Sequence, residues 1–147
     1  MSPEEQLQVV EAVAETLKDS SPEVRKEAFH CLVSLGLDGL GRIIDVIDDQ
    51  STSLECKCEA VQAIGGAFAE GKVDKSKMVK VAIKALEECL EKENDLLCEA
   101  AIGALGEIGP QAINTKPKLL ALLGTKKENN RICVKIGSAL LAISPIH

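Results

Sequence analysis

Apolar residues in this chain recur at i, i+4, i+7, i+8 and i+11, the spacing of one face of an α-helix. One such segment returns four times: Val24 to Leu32, Cys56 to Ile64, Leu97 to Leu105 and Ile132 to Leu140. The copies start 32, 41 and 35 residues apart, within the range of helical-hairpin repeats. Val24, Cys56, Leu97 and Ile132 fill the first apolar position, and Ala28, Ala60, Ala101 and Ile136 the next. Then come Cys31, Ala63, Ala104 and Ala139, followed by Leu32, Ile64, Leu105 and Leu140, and finally Leu35, Ala67, Ile108 and Ile143. The small columns suit a helix wedged between neighbours on both sides.

Each copy follows a turn with helix-start chemistry. Ser20-Ser21-Pro22 offers a hydroxyl cap before Pro at the first helical position. Thr52 to Glu55 reads as a capping box, and Asn94-Asp95 and Asn129-Asn130 offer side-chain acceptors. Four more helices are expected between the copies. Residues 3–18 carry Leu7, Val10, Ala14 and Leu17 behind the capping box Ser2 to Glu5; residues 38–48 carry Leu40, Ile43, Ile44 and Ile47. Residues 75–92, capped by Asp74, carry Val79, Ile83, Leu86 and Leu90. Residues 112–124 carry Leu119, Leu120, Leu122 and Leu123, with Pro117 in the first turn. No sustained period-2 run or Asn-Gly turn signals a strand. The expectation is an all-α chain of eight helices in four antiparallel pairs. It forms one domain over 1–147, with repeats at about 2–36, 37–70, 73–109 and 110–144.

Composition narrows the picture. A hydrophobic fraction of 46% is too high for a disordered chain. Two Phe, with no Trp or Tyr, argue against sandwiches and barrels and remove the stacking platforms of single-strand nucleic-acid binders. The alanine-sized columns account for much of that scarcity.

The pattern resembles the HEAT repeat, in the short variety also found in bilin-lyase-like proteins. Asp19-Ser20-Ser21-Pro22-Glu23-Val24-Arg25 looks like the family's Asp-x-x-x-x-Val-Arg signature. Ala101 to Pro110 looks like its Ala-x-x-Ala-Leu-Gly-x-Ile-Gly ending. Copy two has Lys57 where the family prefers Arg, and copies three and four have Cys98 and Cys133, so the family's Asp–Arg ladder is expected to break there. The resemblance implies a right-handed α-solenoid whose second helices line a concave face. It implies a scaffold for another protein or peptide, without catalytic residues or cofactor. The repeat variety alone suggests a further alternative, an accessory subunit of a lyase-type enzyme.

Charge is graded along the chain. The net charge is −6, but residues 1–50 hold 4 basic and 11 acidic side chains, and residues 101–147 hold 6 and 2. In a solenoid, sequence order is spatial order, so the expectation is a dipolar rod. The cluster Lys116, Lys118, Lys126, Lys127 and Arg131 could take an acidic ligand or nucleic acid, although the acidic balance makes nucleic acid a poor partner. An ordinary solvated surface is the competing reading.

Other chemistry is thin. The six cysteines are Cys31, Cys56, Cys58, Cys89, Cys98 and Cys133, all within helical patterns. The N-terminus lacks an apolar signal region and no apolar run reaches membrane-spanning length. The cysteines are therefore expected to be reduced packing residues in a cytoplasmic protein. Cys56 and Cys58 point about 200° apart on a helix, which disfavours a shared metal. The two histidines are His30 and His147, and the carboxylate pairs fall at helix ends or on solvated faces. No enzyme, metal or cofactor is expected.

Binding is expected on an outward stripe of the second helices: Arg25, Lys26, Phe29, His30 and Val33; Lys57, Cys58, Val61 and Gln62; Cys98, Glu99, Ile102 and Gly103; Cys133, Val134, Gly137 and Leu141. It runs from basic to apolar, which suits a helix or extended peptide with an acidic and an apolar end. The last helix lacks the polar outer face of a terminal repeat. Val134, Leu140, Leu141 and Ile143 are candidates for self-association, as in a homodimer, unless the chain is cut from a longer array.

Overall fold

In a computed structural model of the chain, residues 1–69 and 77–144 are described. They form eight α-helices and no strand: α1 (Pro3–Glu15), α2 (Pro22–Ser34), α3 (Leu37–Asp48), α4 (Leu54–Ala69), α5 (Met78–Leu90), α6 (Asp95–Ile108), α7 (Lys116–Thr125) and α8 (Asn130–Ile143). Short 3-10 segments, Thr16–Lys18 and Gly109–Thr115, follow α1 and α6. The fold is an all-α helical repeat. Even-numbered helices pack in sequence order, α2 on α4, α4 on α6 and α6 on α8, and each also packs on the odd-numbered helix before it.

The helix starts follow the sequence chemistry. The Ser2 hydroxyl accepts from the Glu5 amide while the Glu5 carboxylate accepts from the Ser2 amide, a complete capping box. Ser21, Asn94 and Asn129 cap α2, α6 and α8 by accepting from the amides of Val24, Leu97 and Ile132. At α4 the cap is Ser53, whose hydroxyl accepts from the Cys56 amide at 3.2 Å, one residue later than the box read at Thr52. The helix expected from residue 112 begins at Lys116, because Ala112 leaves helical geometry (φ −91°, ψ 16°) within the preceding 3-10 segment. The expected Asp74 cap lies outside the described residues. Gly36 and Gly109 occupy the same position in copies one and three, and both turn the chain out of a second helix at φ 79°. Only glycine adopts that conformation without strain.

One continuous apolar core runs through the described repeats, from Val10 to Ile143. The columns that face the odd-numbered helices behave as expected: Ala28, Ala60, Ala101 and Ile136 are all buried. Three expectations at the N-terminal end fail. Leu7 is 53% exposed, Val24 is 41% exposed, and Cys31 is exposed where its counterparts Ala104 and Ala139 are buried. Val24 and Cys31 lie on the side of α2 that, in later copies, meets the preceding repeat, and α2 has no such neighbour.

Between repeats the even-numbered helices come close. A Cβ on Gly65 would stand 2.8 Å from the Ala104 Cα, and one on Gly106 3.3 Å from the Ala139 Cα. Glycine at these positions lets backbones approach where a side chain would hold them apart.

Candidate binding grooves between the even-numbered helices

The solvent-facing stripe of the even-numbered helices is narrower than the expected one, which loses one edge to the neighbouring helices. Arg25, Phe29, Val61 and Ile102 do not line an open surface; their exposures are 8%, 1%, 0% and 0%. They fill the seams between successive even-numbered helices. Lys26, His30 and Gln62 are exposed, and Lys57 and Glu99 half-buried. The open stripe therefore runs through Lys26 and His30, Gln62, Glu99 and Gly103, and Val134 and Ser138. Amphipathic spacing marks the side facing the odd-numbered helices, but each even-numbered helix is also covered on its flanks. The charge on Arg25 made a seam residue look like a surface one.

Arg25 shows how a seam holds a cation. Its Nη1 donates to the carbonyls of Asp19 (3.0 Å) and Ser20 (3.1 Å), and its Nε to Glu59 on α4 (2.8 Å). The Glu59 hydrogen bond raises the guanidinium pKa further. In copy four Cys133 stands at this position, and its Sγ–H reaches the Lys126 carbonyl at 3.5 Å. The thiol satisfies one turn carbonyl there without supplying the cross-repeat ion pair. That pair is made by other residues: Arg131 to Glu99 at 2.9 Å and Lys126 to Asp95 at 2.8 Å. The inter-repeat ladder thus persists at the last junction with different side chains, although its arginine column is lost. Lys126 and Asn129, through their hydrogen bonds, hold the Asp95 carboxyl below its usual range.

Two grooves open on this face. The smaller, ≈ 340 Å³, lies between α2 and α4 and gathers Lys26, Phe29, His30, Glu59 and Gln62. The Phe29 ring lies beneath its surface. The larger, ≈ 720 Å³, lies between α6 and α8. Gly103, Gly106, Ala139 and Ala142 floor it, and Glu99, Glu107, Arg131 and Lys135 supply charge of both signs at its edges. Glu99 and Arg131, expected in separate sites, meet here. Glu107, Lys135 and Ser138 were not anticipated. Their signal was positional: they flank the glycines at helical spacing.

The basic cluster is partly spent on the fold. Lys118 pairs with Glu87 at 3.6 Å, and Lys126 and Arg131 with Asp95 and Glu99. Lys116 and Lys127 are exposed. Of the self-association candidates, Val134 and Leu141 are exposed, Leu140 is half-buried and Ile143 is fully buried against the core. Ile143 is thus a packing residue and cannot contact another chain. Burial raises the thiol pKa of Cys56, Cys58 and Cys98, and pushes Cys89 to about 11. Among the described residues no cluster of three His, Cys, Asp or Glu could hold a metal. No described helix is long and apolar enough to cross a membrane.

These features define the class first: an α-helical repeat protein whose surface grooves run between successive even-numbered helices. Within it, residues 9–38 match the family model for the HEAT repeat, so that stretch is similar to one such repeat. The matched stretch runs from α1 through α2 into α3 and contains Asp19 to Arg25. No curated protein matches the chain.

Proposed function

We propose that the chain is a non-catalytic interaction scaffold whose four helix pairs present the even-numbered face to a protein or peptide partner. The observation that carries this reading is the α6–α8 groove, with a floor of small side chains and charged edges. Such a floor lets a partner backbone approach closely, while Arg131, Lys135 and Glu99 can choose its charged side chains. The close approach of α4 to α6 at Gly65 is the kind of contact a concave even-numbered face needs. With no Trp or Tyr, affinity rests on area and charge rather than aromatic anchors.

The test is to fill the groove. A Cβ on Gly103 would meet nothing nearer than the Lys135 Nζ at 3.6 Å, so Gly103→Phe projects into open space. Proteins retained by the wild-type chain from its native host, and lost by Gly103→Phe at unchanged circular dichroism, are the expected result. Full retention by the groove-filled chain rejects the site.

A further inference from the structure

The even-numbered helices share one rule of contact. Facing the following repeat are Arg25, Gly65, Glu99, Gly103 and Gly106; facing the preceding repeat are Glu55, Glu59, Ala104, Arg131, Lys135 and Ala139. Carried to the ends of the stack, this register picks out two uncovered surfaces. On α8 the forward positions are Cys133 and Leu141, with Val134 and Ser138 on the open stripe beside them. Val134 and Leu141 are 69% and 67% exposed, the most exposed large apolar side chains after Met1 among the described residues. On α2 the backward positions are Glu23, Glu27 and Cys31, all exposed, beside the partly exposed Val24.

What covers the forward positions at the α2–α4, α4–α6 and α6–α8 junctions is the backward side of another even-numbered helix, and α2 carries such a side without a partner. We propose that two copies of the chain associate head to tail, with α8 of one stacking on α2 of the next as α6 stacks on α4. Leu141 then takes the place of Gly65 and Gly106, over Cys31 in the place of Ala104 and Ala139. A branched side chain fits this position, because Val33 fills it in copy one at 4% exposure. The charges favour the same pairing. The N-terminal fifty residues hold a net −7 and residues 101–147 a net +4, so unlike ends attract and like ends repel. A contact between two different surfaces joins copies head to tail into chains or rings rather than a two-fold dimer.

Sedimentation equilibrium decides the matter with two variants at exposed sites, Cys31→Glu on the head and Leu141→Glu on the tail. The wild-type mass is expected to rise with concentration past twice the 15.6 kDa of one chain, and to fall as salt is raised. Each variant alone is expected to stay at one chain mass with unchanged circular dichroism. Their equimolar mixture should reach two chains and stop, because one intact tail meets one intact head. A wild type that stays single at every concentration overturns the proposal. So does a Cys31→Glu chain that still dimerises, which is tail-to-tail pairing, or a mixture that remains single. Gly103→Phe should leave the association unchanged, which separates this contact from the groove.

Discussion

Gly65 and Gly106 are the sharpest residue-scale probes of the stack. Alanine favours a helix by about 1 kcal/mol over glycine, whereas overpacking costs about 1–3 kcal/mol. At Gly65 the obstacle is the Ala104 backbone, which cannot step aside. Gly65→Ala is therefore expected to lose about 1–2 kcal/mol in urea titration. At Gly106 the looser 3.3 Å contact lets propensity offset crowding, so Gly106→Ala should fall within about 0.5 kcal/mol of wild type. Arg25 is a stability residue in the same sense. Arg25→Met keeps the buried stem but removes the donors to the Asp19 and Ser20 carbonyls, so the thermal midpoint is expected to fall. Glu59→Gln should cost less, since its side chain is 24% exposed and water can replace the bond. A melt in which Arg25→Met matches wild type would show that solvent satisfies the turn.

At the scale of the element, the caps act through their place in the stack. Asn94 starts α6, which packs on α4, α5 and α8. Asn94→Ala is expected to cost about 1 kcal/mol of global stability, because α6 cannot fray without loosening its neighbours. Ser2 makes the more complete cap, but α1 is the terminal helix. Ser2→Ala should mainly speed amide exchange in the first turn of α1 while the global melt barely moves. Equal losses from both variants would mean that the stack melts as one unit. The odd-numbered helices have their own cross-repeat pairs: Arg42 to Glu11, Lys92 to Asp48 at 3.8 Å, and Lys118 to Glu87 at 3.6 Å. In each, the acid comes from the earlier repeat and the base from the later one, Lys92 from the turn that follows α5. The charge gradient seen along the chain is thus built partly from these rungs, which leaves fewer free cations at the basic end than the count implies.

At the scale of the whole molecule, the cysteines make folding sensitive to alkali. In the unfolded chain a thiol ionises near about pH 8.5. In the folded chain burial raises Cys56, Cys58 and Cys98 and takes Cys89 to about 11. Their contribution to stability is therefore full below about pH 8.5 and lost as pH rises toward the folded values. The thermal midpoint should drop across that window, and Cys89→Val should reduce the drop. The exposed Cys31 should react with a thiol reagent in the native state, while Cys56, Cys89 and Cys98 wait for unfolding. Mass spectrometry after timed labelling reads this order directly.

The sequence by itself determined the eight helices, most of their caps, the repeat and the buried alanine columns, because helix periodicity and capping are local physics. It also placed Lys26, His30, Gln62 and Glu99 where solvent reaches them. Only the tertiary structure decided what lies at the flanks of each helix. Phe29, Val61 and Ile102 are seam residues because a neighbouring helix covers them, and no spacing within one helix can show that neighbour. Arg25 is buried because Glu59, thirty-four residues away, supplies the countercharge. Cys31 and Val24 are open for the opposite reason: their columns face a repeat that precedes every copy except the first. The α6–α8 groove likewise depends on a packing distance, set where Gly106 meets Ala139, which the chain specifies only once it is folded.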